Sequence, residues 1–135
     1  EGTAVSRMRQ LTIPGLRTKA ARSLEVARQL FQSGDYDFAS TRAYYAMFYM
    51  AEAALLNQGH QYSTHAGGHG AFARHLVKGG RVPKEQQTAL QAAFDLRVAS
   101  DYEAVEEVDA VRAEKVIRDA EAFIAAVEAE LSHGS

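Results

Sequence analysis

The segment Ser40-Thr41-Arg42-Ala43-Tyr44-Tyr45-Ala46-Met47-Phe48-Tyr49-Met50-Ala51-Glu52-Ala53-Ala54-Leu55-Leu56 decides how this chain folds. At helical spacing it is apolar or aromatic almost all the way round. Tyr44, Phe48, Ala51 and Leu55 form one row, Tyr45, Tyr49 and Leu56 a second, and Ala43, Met47, Met50 and Ala54 a third. A helix with one buried stripe is polar on its far side, so a helix that is apolar around its circumference is enclosed by neighbours. Arg42 and Glu52 lie within it, and each must be paired or reach water, because an isolated buried charge is costly. The pattern predicts the central helix of a bundle, built around a polar pocket or a subunit interface.

Outward from that helix, which spans about Tyr36 to Asn57, the flanking sequence breaks into four more helical patterns. Upstream, Leu16, Ala20, Leu24, Ala27, Leu30 and Phe31 keep helical spacing to about Gln32, where Ser33-Gly34-Asp35 stops it. Downstream, Gly59 ends the central helix. Ser63 or Thr64 can cap a third helix carrying Phe72, Ala73 and Leu76 and closed by Gly79-Gly80, with a first turn weakened by Gly67, Gly68 and Gly70. Pro83 suits the first turn of a fourth helix, with Leu90, Ala93, Phe94 and Arg97 on its inner side. Asp109 can cap a fifth, whose stripe is Val116, Ala120, Phe123, Ile124, Val127 and Leu131. No segment alternates in the manner of a strand. The expected architecture is all-α, an antiparallel up-and-down bundle of about five helices, with a flexible segment at 1–14, one domain at 15–131 and a tail at 132–135.

The 135 residues suffice for one domain with its own core, and 47% hydrophobic with 24% charged residues is ordinary for a globular protein. The absence of cysteine excludes a disulfide scaffold, a thiol nucleophile and cysteine-ligated zinc. No apolar run reaches the roughly 18 residues of a membrane span and no secretory signal is evident, so the expected location is cytoplasmic, without membrane contact. The net charge of −2 hides a gradient: residues 1–34 carry +4, residues 35–100 carry +1 and residues 101–135 carry −7. That excludes a wholly basic nucleic-acid binder but allows a local basic face. The densest such segment, Arg74, His75, Lys78, Arg81 and Lys84, is either a solvated helix end or a phosphate-binding patch.

Two constellations can carry chemistry. Arg97 and Asp101 are four residues apart, facing each other if the fourth helix persists that far, either as a structural ion pair or as part of a site. His65 and His69 share a helix face at a spacing that can chelate zinc, but no glutamate follows His65 as a base and no third ligand is adjacent. His65 follows Thr64 at a helix start, where free N–H groups attract anions, which favours phosphate contact or proton transfer over metal. A phosphate loop, a dinucleotide fingerprint, a nucleophile elbow and an exposed DNA-recognition helix are all missing.

Arg42-Ala43-Tyr44-Tyr45-Ala46-Met47-Phe48, then Tyr62-Ser63-Thr64-His65, then Leu96-Arg97 through Asp101-Tyr102 make the chain resemble the HEPN family (higher eukaryotes and prokaryotes nucleotide-binding) over about residues 16–131. The resemblance implies an antiparallel helical bundle, a homodimer, and frequent pairing with a small nucleotidyltransferase in toxin–antitoxin modules. It also implies, for many members, a metal-independent ribonuclease whose arginine is followed after four to six residues by a histidine, duplicated across the dimer. Arg97 matches that arginine. Ser100, Asp101, Tyr102, Glu103 and Ala104 follow it, and no histidine appears before His133. A tyrosine that some members have nucleotidylated lies two residues past the family's histidine; with Tyr102 in the histidine's place, it would fall on Ala104.

Metal-free RNA cleavage needs a base for the 2′-hydroxyl and an acid for the leaving oxygen. A tyrosine such as Tyr102, with a reference pKa near 10, is ionised in about one molecule per thousand at pH 7. Asp101 is ionised but a weak base, and His65 serves only if the fold seats it beside Arg97. The expectation is therefore a dimeric protein that binds nucleotide or RNA phosphates through Arg97, with Arg42, Thr64 and His65, and works with a nucleotidyltransferase partner. The alternatives are an RNA endonuclease toxin using Arg97 with Asp101, Tyr102 or His65, and a plain dimerising helical module. No cofactor and no metal are expected, and the letters leave enzymatic activity open.

Overall fold

A computed structural model of the chain describes residues 11–62, 64–101 and 108–133. Five helices run through them: α1 (Ile13–Gln32), α2 (Tyr36–Asn57), α3 (His65–Phe72), α4 (Lys84–Asp101) and α5 (Ala110–His133). The all-α reading holds, and among the described residues no strand occurs.

Helix α2 packs against every other helix. Two of its three rows are buried as predicted, with Tyr44, Ala46 and Met47 fully inaccessible and Met50, Ala51 and Leu55 nearly so, whereas the row Tyr45, Tyr49 and Leu56 is not enclosed. From Arg42 to Leu56, only the stripe Arg42, Tyr45, Tyr49, Glu52 and Leu56 stays half exposed. Both charges within the helix thus reach water, as the cost of burying them requires. Gly59, at φ 85°, ends α2; there the His60 N–H donates back to the Leu55 carbonyl at 2.9 Å, a reversal that needs the left-handed conformation glycine adopts freely.

On one flank of α2, the amphipathic faces of α1 and α5 close a dry seam through Leu16, Ala20, Ala27, Val116, Ala120, Phe123 and Val127. Ion pairs rim it, Arg17 with Glu128 at 2.7 Å and Arg28 with Glu121 at 2.8 Å. On the other flank lie α3 and α4.

The boundaries differ from the sequence expectation in three places. Helix α1 begins at Ile13, because the Thr12 hydroxyl accepts from Gly15 N–H at 3.0 Å and Pro14 sits in the first turn, where its missing donor costs nothing. Residues 11–14 are therefore part of the fold, and 1–10 lie outside the described residues. Pro83 stands one residue before α4, its carbonyl accepting from Gln86. The third helical segment is not uniform: after Phe72 it widens into a π-helical turn, Ala73–Val77. That turn stacks His75 on His60, centroids 4.1 Å apart, while Leu76 remains fully buried. At the far end Asp109 caps α5, accepting from Arg112 N–H at 2.9 Å, and the helix runs on through His133.

Candidate functional site

Helix α3 starts where the chain returns towards α2. The Thr64 hydroxyl caps it, accepting from Gly67 N–H at 3.0 Å. This orients the first turn so that His65 and His69, one turn apart, look onto the same point of α2. That point is Tyr44. Its phenol oxygen lies 2.7 Å from His65 Nδ1 and 2.8 Å from His69 Nε2, and the residue is fully buried. The phenol has one proton, so it donates to one ring and accepts from the other.

The approach of α3 to α2 depends on a glycine. A Cβ at Gly68 would stand 3.1 Å from Cε1 and 3.2 Å from Cζ of Phe48, closer than packed carbons ordinarily stand. With no side chain there, Phe48 slides under the helix and stacks on His65, centroids 4.4 Å apart at 18°. Phe94 from α4 meets His65 at 6.0 Å and the edge of His69 at 4.9 Å. The two imidazoles are thus held by aromatic faces and by one hydroxyl.

Arg97 completes the group from α4. Its guanidinium carbon lies 5.4 Å from the centre of the Tyr45 ring, as Arg42 does at 4.9 Å, and His65 meets the same ring edge-on at 5.7 Å. Cations over an aromatic face are attracted by its quadrupole; here one tyrosine gathers two guanidiniums and an imidazole. Arg97 also reaches Asp101 at 3.5 Å, the ion pair that the four-residue spacing predicts. Asp101 is exposed and Arg97 mostly covered.

The environment shifts the protonation equilibria in a consistent direction. Burial lowers the pKa of His65, and the positive charge of Arg97 lowers it further, because both penalise an imidazolium. His69 is lowered by burial and by its neighbour His65, against a partial upward pull from a Gln91 hydrogen bond and the Asp95 charge. Burial pushes Tyr44 well above the ordinary phenol value, with Arg97 opposing. At neutral pH the cluster is therefore a neutral phenol between two neutral imidazoles, with a permanent cation alongside.

Of the residues expected from sequence, Arg97, Arg42 and His65 come together around Tyr45, and Asp101 is linked to them through Arg97. Thr64 is at the entrance to α3, its hydroxyl engaged in capping. Tyr102 lies outside the described residues. His65 and His69 share a face as their spacing predicts, but both turn a ring nitrogen to Tyr44, and among the described residues no cluster of three or more metal-ligating side chains occurs. The basic segment is a string of mostly exposed side chains in which Arg81 pairs with Glu130 of α5 at 3.0 Å. The letters did not single out Tyr44 or Phe94 as site residues; their spacing matches that of the core rows, and only the histidine pair opposite could have hinted at a polar partner.

The three motifs that carried the HEPN resemblance thus contribute Tyr44, Tyr45, His65 and Arg97 to one cluster in a helical bundle. The HEPN domain matches residues 14–130, and the chain belongs to that family. Among relatives, the protein named "Putative toxin MJ0142" of Methanocaldococcus jannaschii is 33% identical over 106 residues, 78% of this chain and 72% of that one. A UPF0332 protein of Thermotoga maritima is 36% identical over 112 residues, 83% of this chain and 85% of that one. The crystal structure of TT1696 from Thermus thermophilus shares the fold, with a TM-score of 0.74 at 18% identity over 87% of this chain and 97% of that one. Among the described residues no helix is long and apolar enough to cross a membrane.

Proposed function

We propose that this chain is a HEPN protein of the toxin type, which binds RNA phosphates through the Arg97 and Arg42 guanidiniums gathered at Tyr45 and cleaves RNA without metal. The observation that carries this reading is the seating of a neutral His65 beside Arg97. His65 then takes the 2′-hydroxyl proton as the 2′-oxygen closes on phosphorus and the 5′-oxygen leaves, protonated by water, a role the family's downstream histidine would play and for which no histidine stands between Arg97 and His133. A positioned general base contributes about 10²–10⁴-fold, and a guanidinium at the phosphate stabilises the charge that develops there. The toxin names of MJ0142 and its relative MJ0605 from the same organism agree with this role.

The test is incubation of purified protein with RNA in a chelator, beside Arg97→Ala and His65→Gln. Wild type is expected to cleave and both variants to fall by about 100-fold or more. Equal residual cleavage by all three would mean a contaminating nuclease and remove the proposal.

A second reading has its own support. Asp101 already occupies Arg97, and the family's histidine position is empty of histidine. On this reading the protein binds nucleotide or RNA phosphates without cutting them and acts with a nucleotidyltransferase partner, as a homodimer joined through the half-exposed Tyr45, Tyr49 and Leu56 stripe. Calorimetric titration with ATP and short RNA showing heat without cleavage would select it. Sedimentation as a monomer near the chain mass of 14.7 kDa at micromolar concentration would remove the dimer.

A further inference from the structure

Tyr44 offers one hydroxyl proton, and two ring nitrogens stand within hydrogen-bond reach of its oxygen, His65 Nδ1 at 2.7 Å and His69 Nε2 at 2.8 Å. The residue is fully inaccessible, so the hydroxyl cannot turn to bulk water instead. For neutral rings this leaves two complete arrangements. In one, the phenol donates to His69 and accepts from His65, and both rings carry their proton on Nδ1. In the other, it donates to His65 and accepts from His69, and both carry it on Nε2. Any other combination strands the phenol proton or sets an oxygen lone pair against a bare nitrogen, which a buried site penalises. The distances choose neither arrangement, but both tie the tautomer of one ring to that of the other.

The same count governs an added proton. With one ring charged, both contacts stay complete, because the imidazolium donates to the phenol oxygen and the phenol donates to the neutral ring. That holds whichever ring carries the charge. Two short hops exchange the roles, ring N–H to phenol oxygen and phenol O–H to the other ring. With both rings charged, both nitrogens donate and the phenol proton is left without an acceptor, in addition to the repulsion between two cations. One proton fits between the rings and a second does not.

We propose that Tyr44 joins His65 and His69 into a unit that shares one added proton, and that His69 relieves His65 of the charge gained from the 2′-hydroxyl. The second part rests on the reading of His65 as the proton acceptor. With the ring protons on Nδ1, His65 takes the 2′-hydroxyl proton on Nε2. Its Nδ1 proton passes to the Tyr44 oxygen as the phenol proton passes to His69 Nε2. His65 and the phenol end neutral, and His69 ends as an imidazolium. The reverse hops, with loss of the Nε2 proton of His65 to water, restore the start. Tyr44 and His69 act through His65 and are positioning residues. The groups that bear on the three rings are Tyr45 and Glu52 of α2, with Arg42 against Tyr45, and Arg97 and Asp95 of α4, with Asp101 paired to Arg97. Arg97 repels a charge on His65 and Asp95 attracts one to His69, in the sense of the transfer, while burial opposes charge on either ring.

The experiment uses the full chain labelled with ¹⁵N at histidine, read by long-range ¹H–¹⁵N correlation from near pH 8 down to the onset of acid unfolding. At the start His65 and His69 should show the same tautomer populations. On acidification both should shift at one common midpoint, together taking up a single proton, as interacting sites do. In Tyr44→Phe, which keeps the buried ring and loses the hydroxyl, the tautomers should differ and the rings should titrate separately. RNA cleavage should fall about 10-fold or more in kcat with KM unchanged, and the acid limb of the pH–rate profile should move. His69→Gln keeps a hydrogen-bond partner for the phenol but cannot take the proton, so it should lose rate like Tyr44→Phe; a rate equal to wild type would assign His69 a structural role and overturn the transfer. Thermal melts of each variant separate these effects from unfolding. Opposite tautomers in the wild type, two separate proton steps in the folded protein, or no uptake before unfolding would overturn the shared proton. Absence of cleavage by the wild type would sink the ribonuclease reading, and the titration would still decide the shared proton by itself.

Discussion

The two flanks of α2 are built on opposite terms. Towards α1 and α5 the packing is of small and apolar side chains, Ala39, Ala43, Ala46 and Met47 of α2 with Phe123 and Val127 of α5, the buried Ser23 hydroxyl of α1 is satisfied by the Arg42 carbonyl at 2.7 Å, and ion pairs stand at the rim. Towards α3 and α4 it meets aromatic rings interleaved with imidazoles, a phenol and a guanidinium, and here the pKa values move. The dry flank holds the bundle together; the polar flank costs stability, because every buried polar atom there has to find a partner. The division is efficient: α2 is anchored firmly on one side so that the other can hold groups in positions they would not keep in water.

The largest effect should come from the dry flank. Phe123 is fully buried and stacks on Phe72 across the core at 5.2 Å. Phe123→Ala should cost about 3–5 kcal/mol by the removal of a large buried ring and the cavity left behind. Urea unfolding would measure it. If the loss were under about 1 kcal/mol, the seam would not be the anchor described here. Phe72 ends α3, so a histidine NMR spectrum matching the parent's, at temperatures where the variant is still folded, is the outcome expected if the two flanks are separable.

A smaller effect, aimed at the polar flank, comes from two neighbouring glycines. Gly70→Ala adds a Cβ at ordinary contact distance, 3.5 Å from Arg74 Nη1, and should stabilise α3 by about 0.5–1 kcal/mol through helix propensity. Gly68→Ala drives its Cβ against Phe48, a ring 7% exposed and stacked on His65. The overpacking should outweigh the propensity gain by about 1–2 kcal/mol. It should also displace His65 and reduce RNA cleavage more than stability. If both alanines stabilised equally, Gly68 would have no role in seating α3.

How much of this was legible follows the same division. The dry flank was readable because α1 and α5 carry long periodic stripes, and burial by periodicity is what sequence records best. The Arg97–Asp101 pair was readable too, being a matter of spacing within one helix. The polar flank was not, since Tyr44 has the same spacing as Phe48 in a core row, while its partners lie 21 and 25 residues further along. Local pattern carries no information about which residue across the bundle meets a hydroxyl. The glycines of α3 misled in the other direction: as propensities they weaken the helix, whereas Gly68 is what lets α3 close on Phe48. The π-helical turn had no local signal at all.

A small effect that appears only at high pH belongs to Glu52, on the half-exposed stripe where the flanks meet. Its carboxyl lines a small apolar cleft with Phe48, Leu55, Leu56, His60 and Tyr62, and burial pushes its pKa up to about 7, with Lys19 of α1 pulling the other way. A carboxyl whose folded pKa lies above its unfolded one keeps its proton on folding, so the unfolded chain binds fewer protons between about pH 4.5 and 7. Stability from this group is complete below that window and falls as pH rises through it. The imidazoles His65 and His69, lowered in the fold, act in the opposite sense and cost stability as pH falls below about 6.5. Comparing Glu52→Gln with the parent at each pH cancels the histidine contribution. The variant should be more stable by about 1 kcal/mol at pH 8, a figure discounted for solvent screening of a half-exposed group, and equal to the parent near pH 4.5. Urea midpoints at the two pH values measure the difference. The same gain at both would show that the carboxylate charge is not what strains this boundary, and a loss at pH 8 would show that the attraction of Lys19 outweighs burial.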